Sequence, residues 1–343
     1  MKYCTFLILL AVVFLISQGY AQTTYTNPVY KADFADPTII RGHDGWFYAY
    51  GTNTSVANTF YHIQVAKSRD LIHWTIAGDA LPVKPAWAHK DFWAPHVLYD
   101  TARQQYYLYY SGESPDESVG KCIGVAISEK PEGPFVDVGK PLICGAGFVN
   151  IDPMAFDDPA TGKKFLYWGS GHEPIKVREL NDDRISFKTG SDTADVVTPS
   201  QDEDYSKLIE GAWVHYRDGY YYLFYSGDNC CGDKANYAVM VARSRKAEGP
   251  FERLSEVQKT RSSAILVMNK AWLAPGHNSV ITDDADQDWI VYHAIALDPA
   301  LKPKGRIMLI DRLHYRNGWP FIETKSPGVK PAPAPFIRKI KSK

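Results

Sequence analysis

Three acidic residues stand at matching places in a chain of 343 residues: Asp36 in "ADPTIIR", Asp152 in "IDPMAFDD" and Glu210 in "LIEGAWVHY". Each opens a run of alternating apolar residues of the kind that forms a buried strand. A carboxylate at the mouth of such a strand faces water, a partner or a substrate. Cleaving a glycosidic bond needs two such groups, one to protonate the leaving oxygen and one to activate water or attack carbon. The acid must keep its proton near neutral pH, which calls for an apolar wall or a nearby negative charge. Glu210 beside Ala212 and Trp213 suits the acid, and Asp36 suits the base. Asp152 is then the third group, raising the pKa of Glu210 and fixing its orientation. Each residue alone also has an ordinary reading. Asp-Pro is a common turn and strand start and occurs four times, at Asp36, Asp152, Asp158 and Asp298. A lone Glu is usually solvated, and a lone His is usually structural.

Their common phase carries the argument. Related units begin at Asp36, Ala94, Asp152 and Glu210, at equal intervals of 58, and a fifth begins at His277 after 67. Each unit is a short strand, a polar turn and an aromatic strand, and a third strand often follows, as in "IGVAISEKPEGPF" (123–135). Long helical periodicity is scarce, so the fold class is all-β. Five such repeats indicate a five-bladed β-propeller, with the innermost strand of each blade beside the central channel. An Ig-like tandem would not repeat five times at this interval. The residues that open the inner strands therefore form a ring at one end of the channel, and the active site is expected there.

The ends and the bulk composition bound the rest. Met1-Lys2, an apolar run to Ile16 and then "SQGYAQ" read as a secretory signal over 1–21. About thirteen apolar residues are short for a membrane span, so an exported protein, periplasmic or extracellular, with no span in the mature chain is expected. Residues 22–326 make the propeller, and 327–343 a basic Pro/Ala/Lys tail expected to stay poorly ordered. No basic face suggests nucleic acid, and a monomer is expected. Four cysteines remain after the signal, Cys122, Cys144, Cys230 and Cys231, with no zinc-like spacing. The adjacent pair either forms a vicinal disulfide or stays as two small buried hydrophobes.

The starts at Asp36, Asp152 and Glu210 resemble the three catalytic signatures of glycoside hydrolase family 43. "WAPHV" (93–97), "GHNSV" (276–280) and "GRIMLIDRLHYRNGWP" (305–320) resemble its other recurring segments, in the right order from about Asp33 to Pro320. The resemblance implies a five-bladed propeller and inversion by direct attack of water. Asp36 is then the general base, Asp152 the pKa modulator and Glu210 the general acid. "GHNSV" resembles the arabinanase-like branch, which implies that His277 lies under the site and helps hold a calcium or similar ion, often through waters. "DDADQD" (283–288) lacks the Gly and terminal Glu of an EF-hand loop and gives that ion no independent support. Arg306 resembles an arginine that the family places near the substrate, and an ordinary strand arginine is an equal reading. Trp93, next to the axial residue of the second unit, is the aromatic singled out for sugar stacking. The expected substrate is an arabinose-containing plant polysaccharide. A β-xylosidase or arabinofuranosidase on xylan, and a lectin that binds sugar without cleaving it, remain the alternatives.

Overall fold

A computed structural model describes residues 23–300 and 305–338. The proposed signal segment 1–21 lies outside the described residues. Among the described residues no helix is long and apolar enough to cross a membrane.

Among the described residues five antiparallel sheets of three or more strands follow one another along the sequence as blades. The first blade comprises Thr38–Arg41, Phe47–Gly51, Gln64–Ser68 and Trp74–Asp79. In the second, Lys90–Asp100, Gln105–Glu113, Lys121–Ser128 and Val136–Asp137 pair in turn. The third runs Met154–Asp157, Lys164–Trp168, Ile175–Leu180 and Ala194–Val197. The fourth runs Ile209–Arg217, Tyr220–Gly227, Ala238–Ser244 and Glu252–Arg253. The fifth has three strands of its own, Trp272–Thr282, Asp288–Ala296 and Arg306–Arg312. Its outer edge takes the N-terminal segment, through a Tyr30–Met308 bridge and a Phe34 N–H donated to the Arg306 carbonyl at 2.7 Å. That contact closes the ring.

The aromatic strands are buried on both faces because each blade is packed between two others. In the first blade Tyr48, Tyr50 and Val65 face the second, whereas Phe47, Ala49 and Ala66 face the fifth. In the second blade Tyr106, Leu108 and Tyr110 face the first, and Tyr107 and Tyr109 face the third. The period-2 alternation thus sorts residues between two cores rather than between core and water. Buried tyrosines need an acceptor for the hydroxyl. The residue before each of two "EGPF" segments (132–135 and 248–251) supplies one: the Tyr50 hydroxyl donates to the Pro131 carbonyl at 2.5 Å, and Tyr167 to the Ala247 carbonyl at 2.6 Å.

The basic tail is not loose over its described part. Ala332–Pro333 pairs with Thr24–Tyr25, and Ala332, Ala334 and Ile337 pack beside Trp289. The Phe336 N–H donates to Asp283 at 3.0 Å, and the Arg338 N–H to Asp284 at 2.8 Å. Residues 327–338 were expected to be poorly ordered because Pro and Lys bury little. Carboxylates of the fifth blade hold them instead, through their backbone N–H groups.

Candidate active site

Four of the five axial residues share an unusual backbone. Asp36, Ala94, Asp152 and His277 have φ of 56°, 45°, 59° and 48°. The left-handed region is costly for residues with a Cβ, less so for Asp and His than for Ala. What it gains is the same in each blade: the N–H turns sideways to an acceptor at the end of an aromatic strand in the preceding blade. Ala94 donates to Thr52 Oγ1 at 3.0 Å, Asp152 to Ser111 Oγ at 3.1 Å and His277 to Ser226 Oγ at 2.8 Å. Asp36 donates to His293 Nδ1 at 3.1 Å, which joins the first blade to the fifth. The carboxyl groups of Asp36 and Asp152 therefore stand on a hydrogen-bonded collar.

The fourth blade departs by one residue. Its left-handed position, φ 62°, is Gly211 and not Glu210. The inner strand bulges between Glu210 and Trp213, and Glu210 pairs with Ser226 just as Trp93 pairs with Ser111. Equal spacing of 58 had placed Glu210 at the phase of the two aspartates; it stands one residue ahead. Glycine fits here for a second reason, because a Cβ on Gly211 would lie 3.1 Å from the His277 ring. The Gly211 N–H has no hydroxyl partner and donates instead to Asp152 Oδ2 at 3.2 Å. That bond ties the strand of the third acid to the carboxyl of the second.

The three acids have different surroundings. Asp36 Oδ1 takes Arg306 Nη1 at 3.0 Å and lies 3.4 Å from His277 Nδ1, while Thr52 Oγ1 donates to Oδ2. Burial pushes this carboxyl up, but the Arg306 guanidinium, then His277, outweigh it and hold Asp36 well below the carboxylate range. His293 lies 3.3 Å from the same oxygen, yet burial pushes that ring down to about 4. Its Nδ1 already accepts the Asp36 N–H, so His293 is neutral there and Arg306 is the cation that counts. Asp152 goes the other way. Burial first, then the charges of Glu210 and Asp36, raise it well above the ordinary value. The carboxyl of Glu210 is held at both oxygens, by the Tyr237 hydroxyl at 2.5 Å and the Ser170 hydroxyl at 2.6 Å. One ionised carboxylate thus faces two others across the channel mouth, a constellation suited to acid–base hydrolysis.

Asp36, Asp152, Glu210, His277 and Arg306 come together at one end of the ring, and Arg306 donates to Asp36. Its place is fixed by Asp33, which accepts the Arg306 N–H at 2.9 Å. Trp93 lies next to the ring but is already engaged. Its indole stacks parallel to Phe148, centroids 6.3 Å apart, and the Lys121 ammonium lies 4.1 Å from its centre. That ammonium is held by Asp91 and Glu113, each at 2.6 Å. Tyr237, Ser170, His293, Thr52 and Phe148 escaped sequence reasoning. The strand ends "YGT" (50–52), "YSG" (110–112), "WGS" (168–170) and "YSG" (225–227) carried a signal for the collar hydroxyls.

Among the described residues no three His, Cys, Asp or Glu side chains group as a metal cage. Calcium takes six to eight oxygen ligands. An ion at His277 would therefore draw the rest of its shell from water. The cysteines form two disulfides, Cys122–Cys144 and the vicinal Cys230–Cys231. A cavity of about 630 Å³ lies elsewhere, under the C-terminal segment beside Trp289 and Asp311, and no axial residue lines it.

The family model of glycosyl hydrolases family 43 matches residues 25–320. The chain belongs to that family. It is a glycoside hydrolase, of a family that inverts configuration. It is 32% identical to Beta-D-galactofuranosidase xynD of Aspergillus niger, over 88% of this chain and 86% of that protein. It is 27% identical to the extracellular exo-alpha-(1->5)-L-arabinofuranosidase ArbA of Cellvibrio japonicus, over 86% and 88%. A crystal structure of a thermostable family-43 glycoside hydrolase superposes with a TM-score of 0.75 at 28% identity, covering 92% of this chain and all of that one.

Proposed function

We propose that this exported family 43 hydrolase cleaves arabinofuranosyl linkages in arabinose-containing plant cell-wall polysaccharide, with Asp36 as base, Glu210 as acid and Asp152 between them. The observation that carries the roles is the contrast between the two aspartates. Asp36 is held ionised by Arg306, as a group that takes a proton from water must be. Asp152 is pushed toward its protonated form and accepts the Gly211 N–H, so it shares the proton economy of Glu210 without reaching the bond. Water delivered from the Asp36 side attacks the anomeric carbon. Glu210 gives its proton to the leaving oxygen from the opposite side, and the product is inverted. The two curated relatives named above are furanosidases by name, which supports a five-membered sugar ring as the group transferred.

The test is hydrolysis of linear arabinan and of aryl α-L-arabinofuranoside, β-D-galactofuranoside and β-D-xyloside, with products resolved by length and anomer. The arabinofuranoside is expected to turn over fastest. Turnover of the xyloside alone would move the reading to xylan.

A further inference from the structure

We propose that Tyr237 is a positioning residue for Glu210, pinning one carboxyl oxygen with its phenol and tying the acid to the Asp36 side of the ring through His293. The proposal rests on the reading of Glu210 as proton donor. A carboxyl group that is to protonate one oxygen of a substrate must present one lone-pair direction and not swing between two. Glu210 meets that requirement because each oxygen already accepts a hydroxyl proton, Oε1 from Tyr237 and Oε2 from Ser170. The Tyr237 bond, at 2.5 Å, is as short as a hydroxyl–carboxylate bond is expected to be.

Tyr237 has nowhere else to go. Its side chain is fully buried. A Cβ on Gly276 would lie 2.2 Å from its ring, so only glycine admits the tyrosine. Tyr237 shares a small buried cluster with Ala235 and Ala274, against which Cys230, Leu273 and Ile295 pack. Its N–H and that of Asn236 both donate to the Asn229 carbonyl at 3.0 Å, which closes the loop that carries the Cys230–Cys231 disulfide. Burial first, then the charges of Glu210 and Asp152, hold the phenol far above its ordinary value. It therefore remains an O–H donor throughout the working pH range.

The same ring touches the other half of the reaction. It stacks on His293 with centroids 5.8 Å apart and 20° between the planes. His293 in turn accepts the Asp36 N–H. One aromatic stack thus spans the fourth and fifth blades between acid and base, so the distance across which water and leaving group must fit is set partly by Tyr237.

The test compares kcat/KM for an alkyl arabinofuranoside, whose leaving group needs a proton, with that for an activated aryl arabinofuranoside, whose leaving group does not. Wild type, Tyr237→Phe, Ser170→Ala and Glu210→Gln are measured. The alkyl-to-aryl ratio is independent of the fraction of enzyme that folds, so a tyrosine that serves stability alone would leave it unchanged. Tyr237→Phe is expected to lower the ratio by about tenfold, less than Glu210→Gln does. Ser170→Ala, which releases the other oxygen, is expected to act in the same direction. Tyr237→Phe is also expected to move the alkaline limb of kcat/KM upward, because a hydrogen bond to the ionised form of the Asp152–Glu210 pair is lost. If Glu210→Gln depresses the ratio and Tyr237→Phe leaves it at the wild-type value, the proposal fails alone. If Glu210→Gln leaves the ratio unchanged, the acid assignment fails and the proposal falls with it.

Discussion

Asp36 at the channel mouth and Asp311 at the seam of the fifth blade are about equally buried, 6% and 9% exposed, and they end in opposite states. Both accept several hydrogen bonds. Asp311 takes the Tyr292 hydroxyl at 2.5 Å, the Gly328 N–H at 3.2 Å and the Asn27 amide at 3.4 Å. Asp36 takes the Thr52 hydroxyl and the Arg306 guanidinium. Burial pushes Asp311 up to about 6 despite its neutral donors, whereas Asp36 is held well below the usual range. Burial pushes both carboxyls up, and at Asp311 neutral donors recover only part of that. The sign is decided by whether a cation stands within contact distance. In this fold the cation is placed where a proton must be accepted, and is missing where a strand has only to be held down.

The largest expected effect removes the charge on the active side of that comparison. Asp36→Asn is expected to lower kcat on arabinan and on activated aryl arabinofuranoside alike, by about 10² to 10⁴. The loss should not depend on the leaving group, since the base acts on water. A variant that kept most of its activity would show that another residue takes the proton. A finer cut removes only the cation. In Arg306→Met, Asp36 loses its nearest cation and moves toward the situation of Asp311, with His277 still 3.4 Å from Oδ1. Its folded pKa rises, and because the base must be ionised, the acidic limb of kcat/KM moves to higher pH. A limb that stays where it is in wild type would mean that His277 alone holds Asp36 ionised.

The two sites also differed in how far they could be read from the chain. Asp36 and Asp152 declare themselves because the repeat returns to them at equal spacing and Asp-Pro marks the strand start. Glu210 was found by the same spacing but misplaced by one: the left-handed residue of the fourth blade, Gly211, follows Asp152 by 59 and not 58, and the acid is the residue before it, an offset a repeat count cannot show. Tyr237 gave no signal: its role depends on a loop that folds back onto the fourth blade, and on a glycine, Gly276, in the next one. The segment from 327 read as solvated chain for an equally physical reason. Its side chains bury little, and what holds it is its backbone, donated to Asp283, Asp284 and Asp311, whose roles as acceptors no local pattern reveals.

That segment supplies the next prediction, on the structural side. Deleting 327–343 removes the pairing of Ala332–Pro333 with Thr24–Tyr25 and the packing of Ala332, Ala334 and Ile337. It also strips the seam of the N–H groups of Gly328, Phe336 and Arg338. At roughly 1 kcal/mol per hydrogen bond and 1–2 for the apolar contacts, the loss is about 4–5 kcal/mol. Thermal unfolding would show it as a drop in Tm of several degrees or more. No axial residue touches the segment, so kcat/KM at 25 °C should stay near wild type. An unchanged Tm would restore the picture of a loose tail.

The smallest expected effect concerns Asp311 itself. Its folded pKa, about 6, lies above the 3.8 of an ordinary aspartate in the unfolded chain. The native state therefore binds the proton more tightly than the unfolded state does. The stability this contributes is fully present below about pH 4, falls as pH rises through 6, and is absent above. Asp311→Asn supplies the neutral group permanently. The amide oxygen can take the place of Oδ2 and still accept from Tyr292 and Asn27, so only the second arm of the Gly328 contact is lost. Above pH 7 the variant is expected to be more stable than wild type by on the order of 1–2 kcal/mol, the linkage term less that hydrogen bond. Around pH 4, where wild-type Asp311 is already protonated, the gain should vanish or reverse slightly. The measurement is Tm of both proteins from pH 4 to 8. The same substitution at Asp36 should produce no such crossing, because there the charge is matched by Arg306. A constant offset between Asp311→Asn and wild type across that range would mean that Asp311 is already ionised at pH 4, and that neutral donors alone can hold a buried aspartate as well as an arginine does.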